Sequence, residues 1–183
     1  LYKHETRNEF IVAMAGTDGP NFQDWAQNLR WGWGQWDFID PATDKLSDKS
    51  GKFLISKALE ELVNPDAKPV IHFTGQSLGG ALAEYAAFDY WQANQIKYPD
   101  ILSRLTLTTF NGLAGGAALT RLGGVTDAQL AAFRPARTAH YEVSNDLINR
   151  LGGHHLAAAG NLFGLDFRSE KTNPATGEKW LLN

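Results

Sequence analysis

The sequence predicts an α/β domain, with a mostly parallel sheet flanked by helices. Three observations point there. Short strand-like runs recur at residues 10–15, 70–74, 105–110 and 140–143. Segments with apolar residues at helical spacing, or rich in alanine, lie between them. Each run closes on Gly, Asn or Ser, as a strand does at a turn. Strands alternating with helices make neighbouring strands parallel and predict a sheet covered on both faces.

Phe10-Ile11-Val12-Ala13-Met14-Ala15 is an apolar run ending at Gly16, which reads as a buried strand. Residues 21–40 are rich in aromatics, and residues 40–52 turn polar, as in a surface loop. Leu54, Ala58, Leu59, Leu62 and Val63 follow at helical spacing, and Asn64-Pro65 should end that helix. Val70-Ile71-His72-Phe73-Thr74 is a second buried strand, and residues 81–93 form an Ala-rich helix. A third strand covers 105–110, part of 119–133 is helical, and a fourth strand covers 140–143. The order contains no internal repeat.

A chain of 183 residues fits one domain with a core that needs no staple. Hydrophobic residues are 43% and charged residues 20%, the balance of a globular protein. A net charge of -3 with no basic cluster argues against nucleic-acid binding. The absence of cysteine removes disulfides, thiolate metal sites and thiol nucleophiles. No apolar run is long enough for a transmembrane segment. A start on Leu1 and almost at once a strand reads as a mature form or an excised catalytic domain; the compartment stays open, with bacterial secretion favoured.

The most informative unit is strand, then Gly75-Gln76-Ser77-Leu78-Gly79, then helix. A serine hydroxyl attacks a carbonyl only if it is held exposed at a fixed angle beside a base. A sharp strand-to-helix turn does this, and glycines two places either side permit the close backbone approach. The helix behind it points free N–H groups and a positive dipole at the site, and the N–H of Leu78 is one oxyanion donor. The bland alternative is a glycine-rich turn with a capping serine, which is less specific to this strand–helix setting.

Downstream acid and base complete the order Ser, Asp, His that this kind of site uses. Asp146 stands in the polar turn past the fourth strand, although a turn-forming role is as good a reading of that residue alone. His154 and His155 follow Gly152-Gly153 in one short stretch. His155 is the favoured base, because Leu156 beside it can anchor the stretch in the core; His154 stays open. The imidazole takes the serine proton and the carboxylate fixes its tautomer. His140 and His72 lie within strands and read as packed core histidines.

Several segments in order resemble the class 3, fungal-type lipases and their shorter bacterial relatives. These are Ala15-Gly16-Thr17-Asp18, Asp24-Trp25-Ala26-Gln27-Asn28-Leu29, residues 74–83 around Ser77, Thr109-Phe110-Asn111-Gly112, and residues 145–151. The resemblance implies the α/β-hydrolase fold and a catalytic triad of Ser77, Asp146 and a histidine. It also implies a second oxyanion donor at Thr17 and an ester or lipid substrate, with transient contact to a lipid interface. The sequence has Gln76 where the family more often has His. His155 follows Asp146 by only nine positions, where larger members place the triad histidine tens of residues on.

In larger members a lid lies near the segment that is here Arg30-Trp31-Gly32-Trp33-Gly34-Gln35-Trp36-Asp37-Phe38. The rings either form a mobile apolar surface or pack on the body of the domain. The whole reading, residues 1–183 as one catalytic domain, is of a serine carboxylic ester hydrolase: lipase, phospholipase A or carboxylesterase. It needs no metal and no organic cofactor. The same triad would serve a thioesterase or polyesterase, and a non-catalytic binding module of a larger secreted protein would keep the fold alone.

Overall fold

The computed structural model describes residues 1–16, 33–143, 154–157, 162–165, 169–172 and 179–182. Its centre is a six-stranded sheet in the order β1 (Tyr2–Lys3), β2 (Glu9–Met14), β5 (Val70–Gln76), β6 (Leu105–Phe110), β7 (Arg137–Val143), β8 (Leu162–Leu165). β1 runs antiparallel to β2, and every later pairing is parallel. Two small antiparallel pairs stand apart from this ladder: β3 (Ile39–Asp40) with β4 (Lys45–Leu46), and β9 (Ser169–Thr172) with β10 (Lys179–Leu182).

The helices are α1 (Trp33–Trp36), α2 (Gly51–Leu62), α3 (Leu78–Asn94), α4 (Gly116–Arg121) and α5 (Asp127–Ala132). The four expected strands and the two long helices fall where the sequence places them, with ends shifted by a few residues. Ser50 begins α2 by accepting a hydrogen bond from the Phe53 N–H. Residues 40–52 are not loop alone, since β3 and β4 form a short hairpin there. None of the described helices is long and apolar enough to cross a membrane.

Register explains the core. Phe10, Ile71 and Leu105 sit side by side in one row of the sheet, and Val12, Phe73 and Leu107 in another, all buried. α3 lies on these rows and is itself covered, so every residue from 77 to 91 except Leu82 and Asp89 is buried. Trp36 and Trp33 pack on Tyr85 of α3, and Phe133, just past α5, packs on Phe88 and Trp91. This burial on all sides is why α3 shows almost no polar face in its sequence.

The chain is thus mixed α/β, with a mostly parallel central sheet flanked by helices, as the sequence predicts. Burial alternates along the strands: in β6, Leu105, Leu107 and Thr109 are buried while Thr106, Thr108 and Phe110 are less so. On that second face Phe110, Tyr141 and Phe163 stack in a row, with ring centroids 5.4 and 5.3 Å apart. A half-polar face reads as an apolar run when threonine is counted among strand formers.

Candidate active site around Ser77

Ser77 occupies the single residue between β5 and α3. Its backbone has φ 56° and ψ -128°, a region that a residue with a Cβ adopts only under strain. Neighbours hold it there. The Ser77 N–H donates to the Phe110 carbonyl at 3.2 Å, and the Ser77 carbonyl accepts from Gly80 and Leu113, both at 2.9 Å. Leu78 is the first residue of α3, so its N–H has no partner within the helix and is available to an oxyanion.

The glycines around Ser77 are required by backbone contact. A Cβ on Gly75 would stand 2.0 Å from the Gly79 carbonyl oxygen, and one on Gly79 would stand 2.2 Å from that of Met14. Gly16, at the end of the β2 chain, lies against Gln76 and Ser77, with a notional Cβ 3.1 Å from the Ser77 Cβ. The chain therefore leaves β2 beside the serine. Thr17, the expected second donor, lies outside the described residues, as do Asp146, Asp24, Trp25 and Trp31.

Replacing Ser77 by glycine should relieve the backbone strain. We expect Ser77→Gly to gain about 1 kcal/mol of stability, the residue of a strain of about 1–3 kcal/mol after glycine's own entropy cost. A melting temperature equal to or below the parent's would show that the turn is not strained.

All five histidines of the chain lie in the described residues, and none donates to or accepts from the Ser77 hydroxyl. His4 accepts from the Thr6 and Arg7 N–H groups at the start of the chain. His72 is half-buried on the second sheet face, 2.8 Å from the Thr106 hydroxyl. His140 is fully buried, as expected of a core histidine. His154 is exposed, and its carbonyl accepts from the Gly116 N–H at 3.0 Å.

His155 is buried and points elsewhere. Its Nδ1 faces Glu84, and its Nε2 lies 3.0 Å from Glu142 Oε1. Glu84 is seven residues along α3 from Ser77, which at about 1.5 Å per residue is roughly 10 Å down the helix axis. This arrangement does not bring His155 to the Ser77 hydroxyl: both ring nitrogens face carboxylates, Glu84 two helical turns along α3 and Glu142 near the end of β7. Leu156 is buried in the core, as the sequence suggests, and His155 beside it is buried between α3 and β7.

Glu84 was not singled out from the sequence, although a signal existed. It is the one acidic residue in the first ten positions of an otherwise apolar, Ala-rich helix, and a buried glutamate demands partners. Its Oε2 accepts from the Gly115 N–H at 2.8 Å and from Leu156 at 3.2 Å. Glu142 shares a face of β7 with His140, two positions before it.

No protein-family model and no curated protein sequence matches this chain.

Of the two readings of the tryptophan segment, the described part favours packing. Trp36 is buried and its Nε1 donates to Asp89 at 3.0 Å, while Trp33 meets Tyr85 edge-on. Both lie against α3. Phe38 is exposed.

Proposed function

We propose that this chain is a serine ester hydrolase with Ser77 as its nucleophile. The observation that carries the reading is the backbone of Ser77, a non-glycine residue held at φ 56° between a parallel strand and a long buried helix. Such strain persists only where surrounding contacts enforce it, and it clusters at reacting groups. The Ser77 oxygen attacks an ester carbonyl, and the oxyanion is met by the Leu78 N–H and the α3 dipole. The ester C–O bond breaks and the alcohol leaves with the serine proton, and water then releases the acyl group as the acid. Gly16 beside Ser77 supports Thr17 as the second donor, and the resemblance to class 3 lipases supports Asp146 as the acid. Substrates in this reading are carboxylic esters, lipids among them, and an acyl thioester would use the same steps.

The serine also needs a proton acceptor. Turnover requires residues 154–155 to leave their observed place, or a base other than the five histidines as arranged here. That same observation favours a second reading, a binding module that keeps the fold without turnover. One experiment separates the two. A fluorophosphonate probe should label the parent chain, and Ser77→Ala should abolish the labelling. A folded parent that takes no label supports the binding module, and label surviving in Ser77→Ala refutes the nucleophile.

A further inference from the structure

The densest set of buried titratable groups lies away from Ser77. His155 is flanked by Glu84 from α3 and Glu142 from β7, and its ring stacks on that of His140 at 4.3 Å and 19°. Thr109 from β6 lies 2.8 Å from His140 Nδ1, and the Leu156 carbonyl lies 2.9 Å from His140 Nε2. Asp127 and Arg134 of the α5 region and His154 line the cavity that reaches His155 from outside.

The hydrogen bonds decide the protons. A carbonyl only accepts, so His140 donates from Nε2 to Leu156, and its Nδ1 accepts from the Thr109 hydroxyl. Both neighbours of His155 are carboxylates, which accept when ionised, so each nitrogen of His155 carries a hydrogen. Burial opposes the charged ring, but the hydrogen bonds and charges of Glu84 and Glu142 outweigh it and raise its pKa above the ordinary histidine value. Burial lowers that of His140; Glu84, 3.8 Å from its Nδ1, opposes the shift and the charge on His155 adds to it. The two stacked rings are thus pushed in opposite directions, and of the two it is His155 whose charged form is favoured.

The donors of Glu84, His140 and His155 lie within 4.8 Å of one another, close enough to suggest a metal. The stacking argues against it. A metal sits in the plane of each imidazole, on the lone pair, and two nearly parallel rings send their lone pairs side by side and not to one point.

We propose that His155 is held as an imidazolium between Glu84 and Glu142, as a positioning residue that clasps residues 154–156 and the end of β7 onto α3. The backbone shows the clasp: Gly115 and Leu156 N–H groups bind Glu84, and the Gly116 N–H binds the His154 carbonyl. Glu142 is one residue from the end of β7, where the Val143 N–H is also tied to Asn111 Oδ1 at 3.2 Å. In the sequence, Asp146 follows the end of β7 by three positions. The importance of the clasp for catalysis rests on the ester-hydrolase reading; the clasp itself does not.

The test compares His155→Gln, His155→Lys and Glu142→Gln with the parent by thermal melting, amide exchange and fluorophosphonate labelling. His155→Gln should melt lower, lose protection at Gly115, Gly116 and Leu156, and label more slowly by on the order of tenfold to a hundredfold. Lysine restores the charge and the donors but is a poor base, so His155→Lys should recover protection and labelling. Glu142→Gln, at the less buried partner, should show a milder form of the same loss. Labelling that stays lost in His155→Lys while protection returns would make His155 the base and overturn its role as a positioning residue, while the returned protection would still support the clasp. Unchanged melting and protection in both glutamine variants would overturn the clasp, as would zinc stabilising the parent but not His155→Gln. If the parent takes no label, the ester-hydrolase reading fails, while melting and exchange still decide the clasp.

Discussion

Replacing Gly79 by alanine is expected to lower the melting temperature by roughly 6–12 °C, which corresponds to about 3 kcal/mol at about 2–4 °C per kcal/mol for a chain of this length. The added Cβ would meet the Met14 carbonyl oxygen at 2.2 Å and the Ala15 carbonyl carbon and oxygen at 2.8 Å. These are backbone atoms, so no side chain can rotate away. The first turn of α3 would have to lift from the end of β2, and the Leu78 N–H would lift with it. Labelling at Ser77 should therefore fall together with stability. Gly124 is the control: it has φ 66° and open space around it, so alanine there costs only the left-handed penalty of about 1–2 kcal/mol. Scanning calorimetry on both variants decides the point. If Gly79→Ala melts as high as Gly124→Ala, the close approach of strand and helix is not what requires glycine.

The strand–Gly75–Ser77–Gly79–helix unit was legible in the sequence because its physics is local. The β-branched run, the paired glycines and the Ala-rich helix lie within twenty-odd consecutive residues. The histidine partner was not, because its placement depends on contacts across the fold. His155 is drawn inward by Glu84, 71 positions earlier, and no local pattern links the two. Leu156 gave a true signal of burial, from which the direction of its neighbour's ring could not be read. The alternation of burial along the strands was hidden for a related reason. Thr74, Thr106 and Thr108 suit a strand whether their side is buried or half-exposed, so a parallel strand order was legible while that alternation was not. The packing of Trp33 and Trp36 on Tyr85 was likewise decided at a distance, by Asp89 and α3.

Removing the Glu84 carboxylate should cost more than any surface change, because it binds three partners at once. Glu84→Ala would strand the His155 imidazolium with Glu142 alone and leave the Gly115 and Leu156 N–H groups unpaired. Breaking a buried ion pair costs about 3–5 kcal/mol, so the variant should melt roughly 10 °C or more below the parent. Glu84→Gln keeps the shape and loses the charge, and it makes the contribution depend on pH. His155 has a raised folded pKa. Its stabilisation is therefore complete below the unfolded value of about 6.5 and is lost as pH rises through the folded value. His140 has a lowered folded pKa, so the sign reverses: the native state loses stability as pH falls below about 6.5. Removing the Glu84 charge weakens the first effect directly. The difference in unfolding free energy between parent and Glu84→Gln should accordingly be larger at pH 6 than at pH 9, as measured by urea denaturation at each. A difference that is constant across that range would mean that the Glu84 charge does not hold the proton on His155.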